Sequence, residues 1–178
     1  MTESSPVEEK ARQIKLLLMD CDGVLTDGRI WMLDEAEDQK AFHIRDGLGI
    51  DLWHRAGLRS GIISGRSSTA VARRAKGLNI SIVHLGQPEK RQALEQTLLE
   101  TGVEPNEVAY IGDDLNDIPL MLHSGLAIAV GDACAEVKAR AHYVTQASGG
   151  NGAVREAIEL ILKAQNKWEG VIADYLKS

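Results

Sequence analysis

Short apolar runs alternate along this chain with stretches that repeat at helical spacing, and that alternation restricts the fold more than any other feature. The runs occupy residues 14–19, 58–63, 80–83, 108–111 and 126–130, with a short sixth at 142–144. Runs this brief, rich in Ile, Val and Leu, suit strands covered on both faces. Between them the pattern predicts helices over 46–56, 67–76, 89–101, 116–123, 134–139 and 153–165. In the last of these Val154, Ala157, Ile158, Ile161 and Leu162 form one apolar stripe. Gly57, Gly77 and Gly102 each follow a helical stretch, where helices tend to end. Strand–helix–strand alternation of this kind predicts a mostly parallel sheet with helices on both faces, a Rossmann-like three-layer α/β sandwich.

One segment departs from the alternation. Residues 28–33 and 40–44 read as two strands around an acidic turn at 34–38, a hairpin inserted after the first strand. It carries Trp31, Met32 and Phe42, an apolar load that a lone hairpin cannot bury. Packing on a partner subunit or on its own domain would each cover it. No repeat, low-complexity tract or linker divides the 178 residues, so a single domain is expected. Hydrophobic residues make up 44% and charged residues 26%, enough for a core without staples. The net charge of −6 argues against nucleic acid as partner. Cys21 and Cys134 are far apart and form neither a disulfide framework nor a metal pair. The first residues are polar and acidic, unlike a secretory signal, and no apolar run has bilayer length. A cytoplasmic location is therefore expected.

In an open α/β sheet, ligands bind beyond the carboxyl ends of the strands. After the first run comes Asp20-Cys21-Asp22-Gly23-Val24-Leu25-Thr26-Asp27-Gly28. Ser64-Gly65-Arg66 follows the second, and Lys90 opens the helix after the third. Gly112-Asp113-Asp114-Leu115-Asn116-Asp117 follows the fourth. One pocket collects acids, a hydroxyl and a lysine. Carboxylates at one spot repel by about 4 kcal/mol per pair at ~4 Å and an effective dielectric of 20. A divalent cation removes that cost, and an all-oxygen set without a His/Cys cluster favours Mg²⁺. A carboxylate attacking a phosphate dianion needs the same cation, with a lysine and hydrogen-bond donors, to lower the repulsion.

These motifs resemble the four signatures of the haloacid dehalogenase superfamily of phosphatases, in its capless branch. Within that branch, residues 20–28, 41–50 and 149–156 are similar to the 3-deoxy-D-manno-octulosonate 8-phosphate phosphatases, and the resemblance runs over about 14–168. The sialic-acid-type 9-phosphate phosphatases share these blocks. The resemblance implies a Mg²⁺-dependent phosphatase without a cap domain, acting on a phosphorylated acidic sugar in lipopolysaccharide precursor synthesis. By position, Asp20 matches the nucleophile and Asp22 the general acid and base. Asp20, Asp22 (through its backbone carbonyl) and Asp113 match the metal ligands, with Asp114 and Asp117 in support. Ser64 and Lys90 match the phosphoryl binders, while Arg66, Arg74, Thr26 and Gly65 fall at substrate-binding positions. The resemblance also implies a homotetramer in which hairpins pack together. The tail over 166–178, with Trp168, Val171, Ile172 and Tyr175, would then reach toward a neighbour's site, unless it is a frayed terminus. Asn151 departs from the pattern, which leads us to expect Arg there.

Two other classes share parts of this inventory. A signalling receiver domain also places acids, a hydroxyl and a lysine at strand ends, but its acceptor Asp follows the third strand, whereas here the second acidic cluster follows the fourth. A non-catalytic phosphatase-like binding module would have no need of the complete set of nucleophile, acid and ligands.

Overall fold

The structure, a computed structural model, describes residues 5–31 and 39–176. Six strands form one fully parallel sheet in the order β3-β2-β1-β4-β5-β6. β1 (Leu16–Met19), β4 (Val108–Gly112) and β5 (Leu126–Ala129) are buried along their whole length, which explains why they read as unbroken apolar runs. β2 (Arg59–Ile63) is exposed only at Arg59, and β3 (Ile82–His84) and β6 (Tyr143–Val144) close the two edges. The expected Rossmann-like sandwich is present.

Helices α2 (Ile44–Arg55), α3 (Thr69–Gly77), α4 (Lys90–Thr101), α6 (Ala135–Lys138) and α7 (Ala153–Ala164) fall close to their expected positions. The apolar stripe of α7 is buried at every position. The expected helix over 116–123 is split. A 3₁₀ turn, Leu115–Asp117, precedes α5 (Ile118–Leu122), because Asp114 caps the turn and Pro119 begins a new helix. β3 starts two residues later than expected. Asn79 adopts φ +55° and the Ile80 N–H bonds Ala75 O, so Ile80 seals the end of α3 before the strand begins.

Two helices lie outside the expected pattern. α1 (Pro6–Gln13) is closed by a capping box, with Ser5 Oγ accepting from Glu8 N at 3.3 Å and Glu8 accepting from Ser5 N at 3.0 Å. The Ser-Pro-x-Glu sequence carries that signal, which the polarity of the segment obscures. α8 (Trp168–Ala173) follows α7, and the aromatic ring of Trp168 takes the cations of Arg155 and Lys163. Val171 is buried and Arg55 lies over the Tyr175 ring, so the tail through 176 makes contacts with its own chain.

Of the expected hairpin, Trp31 and Gln39 form an antiparallel bridge, while the end of the first expected strand at 32–33 and the expected turn at 34–38 lie outside the described residues. The second expected strand, 40–44, is not one: residues 40–43 carry no strand pairing and Ile44 opens α2. A continuous apolar core extends from Ala11 to Val171. Among the described residues no helix is long and apolar enough to cross a membrane.

Candidate active site

The sheet order reverses at β1: β2 and β3 lie on one side and β4 to β6 on the other. Met19 pairs with Ile111, so Asp20 and Asp113 leave adjacent strands at the same edge. The Asp20 N–H donates to Ile111 O at 3.0 Å, holding the first residue beyond β1 against β4. Ser64 leaves β2 on the other flank, buried, with its N–H on His84 O at 2.9 Å. Asp20, Asp22, Ser64, Gly65, Arg66, Asp113 and Asp114 line one cleft of about 260 Å³, together with Gly28 and Asn116. The strand-end reading therefore brings its main residues together.

Lys90 enters from the start of α4 and is only 3% exposed. Its Nζ lies 2.9 Å from Asp20 Oδ2 and 2.7 Å from Asp117 Oδ1. Asp117 is fully buried. Its Oδ1 also accepts the Tyr110 hydroxyl at 2.8 Å, and its Oδ2 accepts the Asp113 N–H at 2.9 Å. Asp117 thus fixes both Lys90 and the backbone that carries Asp113. Asp114 caps the 3₁₀ turn through the Leu115 N–H at 2.8 Å. Tyr110, hidden in the apolar run of β4, gave no chemical signal in the sequence.

Carboxylate oxygens of Asp20, Asp113 and Asp117 lie within 4.8 Å of one another. Burial first, and then the Asp117 charge, push Asp20 up to about 6 against the pull of Lys90. Burial, followed by Asp117 and Asp20, pushes Asp113 up to about 8. Burial alone would lower the Lys90 ammonium, but Asp117 and Asp20 outweigh it and raise it. Two buried carboxylates and the half-buried Asp113 thus face the Lys90 ammonium. One oxygen, Asp113 Oδ1, is buried without a hydrogen-bond partner. Gly23 (φ +87°) makes room for that carboxylate, since a Cβ there would overlap it. A hard divalent cation fits this set, because the donors are all oxygen, one is vacant, and the charge balance is short of positive charge. Asp20 and Asp113 would hold it. The Asp117 oxygens are already occupied by Lys90, Tyr110 and the backbone.

Asp22 points its carboxylate at Lys40 and, at 3.7 Å, at Arg66 Nε. Lys40 was missed, because it falls in the segment read as a strand and no motif spacing marks it. Two predicted substrate contacts are placed elsewhere. Thr26 is fully buried and braces its own loop, donating to Cys21 O at 3.3 Å and accepting from Gly28 N at 3.2 Å. Arg74, on α3, donates to His43 O at 3.4 Å and covers the Phe42 ring, and it is not among the residues lining the cleft.

The sequence profile of the haloacid dehalogenase-like hydrolases matches residues 63–158. Over 164 residues the chain is 44% identical to 3-deoxy-D-manno-octulosonate 8-phosphate phosphatase KdsC of Yersinia pestis, covering 92% of this chain and 88% of the relative. The chain belongs to the haloacid dehalogenase-like hydrolases. KdsC of Escherichia coli K12 is likewise 44% identical, with 92% of this chain and 87% of the relative covered. Among solved structures, the 3-deoxy-D-manno-octulosonate 8-phosphate phosphatase of Moraxella catarrhalis superimposes with a TM-score of 0.92 at 45% identity, covering 95% of this chain and 97% of that one. That crystal structure holds a magnesium ion, a phosphate ion and a KDO molecule. The superfamily resemblance read from the four strand ends is thereby established, and with it the hydrolase class of the chain.

Proposed function

We propose that this chain is a magnesium-dependent phosphomonoesterase that hydrolyses 3-deoxy-D-manno-octulosonate 8-phosphate to the free sugar acid and phosphate, in lipopolysaccharide precursor synthesis. The observation that carries the reading is the Asp20 carboxylate, held by Lys90 at 2.9 Å beside Asp113 at the floor of the cleft. The 44% identity to KdsC and the KDO-bound structure support the substrate class.

The residues divide the chemistry as follows. Lys90 and the Cys21 N–H, the latter 2.7 Å from Asp20 Oδ1, orient Asp20 and favour its ionised form. Asp20 bonds to phosphorus as the ester bond to the sugar breaks, giving an aspartyl phosphate. Asp22, on the same loop and lining the same cleft, gives its proton to the departing sugar oxygen. Asp22 then takes a proton from water, which attacks phosphorus and frees phosphate and Asp20. Ser64 and Lys90 supply donors to the phosphoryl oxygens, and Arg66 and Gly65 line the same cleft. When bound, the magnesium ion offsets the repulsion between carboxylate and phosphate dianion.

The test is phosphate release from octulosonate 8-phosphate, nonulosonate 9-phosphates and hexose phosphates, with and without magnesium. The first should be favoured by at least about tenfold, or ~1.4 kcal/mol. Comparable rates across the panel would remove the substrate assignment, and undiminished turnover by Asp20→Asn would remove the mechanism.

The same reading takes the chain as one domain acting in the cytoplasm as a homotetramer. Trp31, within the segment that joins β1 to α2, and Ile44, at the start of α2, are 62% and 79% exposed and support an assembly face there. A monomer in sedimentation analysis would contradict the assembly.

A further inference from the structure

Asp46 stands in the first turn of α2 and is 1% exposed, although nothing in the phosphatase chemistry above uses it. Its two oxygens reach across to the start of α7, where Oδ2 accepts the Gly152 N–H at 3.1 Å and Oδ1 the Arg155 N–H at 2.8 Å. Gly152 is the N-cap of α7 and has no side chain with which to cap it. A carboxylate more than a hundred positions away in the chain therefore supplies the missing cap.

The loop that leads into this cap leans on the loop that carries Asp22. The Gly150 N–H donates to Val24 O at 2.9 Å. A Cβ on Gly149 would overlap the Gly23 carbonyl, and one on Gly150 (φ +60°) would overlap the backbone of Thr26 and Asp27. Only glycine allows so close an approach. From the other side, Asp132 holds the Gly149 N–H at 2.8 Å. The segment immediately before α2 carries Lys40, the ion-pair partner of Asp22. Asp46 thus ties together the two chain segments that flank Asp22. Asp20, by contrast, is set directly by β1, β4, Lys90 and the adjoining Cys21 N–H.

We propose that Asp46 is a positioning residue for the proton-transfer step: it fixes the Gly149–Gly152 loop against the Asp22 loop, so that Asp22 meets the leaving oxygen. This rests on the phosphatase reading given above. Asp46→Asn is nearly isosteric but turns an NH₂ toward one of the two backbone N–H donors. Displacement of Asp22 should slow an ester whose leaving group needs a proton. It should spare the kcat/KM of one whose leaving group departs unprotonated, because that constant ends with formation of the aspartyl phosphate, before Asp22 is needed to activate water, and Asp20, Ser64 and Lys90 keep their places.

The experiment compares wild type, Asp46→Asn and Asp132→Ala on octulosonate 8-phosphate and 4-nitrophenyl phosphate at saturating magnesium, with thermal melts to confirm folding. For Asp46→Asn, kcat/KM on the sugar phosphate should fall by about tenfold or more, and that on the aryl phosphate by less than about twofold. Equal losses on both esters, or no loss on either, overturn the proposal. If Asp46→Asn gives no cooperative melt, Asp132→Ala, altered at an exposed residue bonded to the same loop, decides by the same criterion. A wild type inactive on both esters overturns the phosphatase reading itself and the inference with it, an outcome distinct from any ratio between variants.

Discussion

Replacing Lys90 with Met removes the ammonium that contacts the buried carboxylates of Asp20 and Asp117. Methionine fills much of the aliphatic volume, so the loss is chiefly electrostatic. Asp117 keeps the Tyr110 hydroxyl and the Asp113 N–H, while Asp20 keeps only the Cys21 N–H on its other oxygen. Breaking a buried pair from one side costs about 3–5 kcal/mol. For a domain of this size that corresponds to a fall in Tm of roughly 10 °C. The pH dependence has a definite sign. Asp20 is pushed up to about 6 even with Lys90 in place, so the folded protein holds that proton more tightly than the unfolded chain. Below its ordinary value near 3.8 the group is protonated in both states and the charge penalty is absent. As pH rises through the folded value the carboxyl ionises inside the protein, and the variant loses the stability that Lys90 gave. The assay is a thermal melt of wild type and Lys90→Met in chelator at pH 5 and pH 8. The gap in Tm should be wide at pH 8 and narrower at pH 5. Equal melting temperatures at pH 8 would refute the reasoning, as would a gap that widens on acidification.

Other outcomes follow from the same geometry. Chelation should abolish phosphate release, and magnesium should restore it. Magnesium at a hundred times its Kd should add about 2.7 kcal/mol of stability, a rise in Tm of roughly 5–10 °C. The rise should be larger at pH 8 than at pH 5, because protons on the raised Asp20 and Asp113 compete with the cation, and a rise independent of pH would argue against these ligands. His142 accepts the Ala127 N–H on Nδ1 at 2.9 Å, and burial, followed by Lys10, lowers its pKa below the ordinary 6.5. The unfolded chain takes that proton first, so the contribution of His142 is complete above pH 6.5 and is lost as pH falls below it. Urea midpoints at pH 7.5 and 5.5 should therefore differ less in His142→Asn than in wild type, and an unchanged difference would contradict this.

The positions of the strands along the chain and the cleft residues were legible because each strand end announces itself: a buried apolar run stops and a chemically distinct residue follows. Asp20, Ser64 and Asp113 are all found this way. Residues whose role depends on contacts distant in sequence were not legible. Tyr110 sits inside a buried strand and shows its hydroxyl's partner only once Asp117 folds back over it. Asp46 caps a helix that begins more than a hundred residues later. Thr26 has the residue type of a ligand contact, but the tight turn of its loop draws its hydroxyl inward. β3 slipped because an apolar residue, Ile80, closes a helix rather than starting a strand. Of the reading by resemblance, the superfamily and its fold are established.

The central claim is that Asp20 carries the phosphoryl group during turnover. The direct measurement is a rapid acid quench of enzyme mixed with octulosonate 8-phosphate and magnesium, followed by borohydride reduction and peptide mass spectrometry. An acyl phosphate at Asp20 is reduced to homoserine, so the account predicts homoserine at position 20 in wild type and its absence in Asp20→Asn. Rapid phosphate release with an unmodified Asp20, or with the label on another carboxylate, would contradict it.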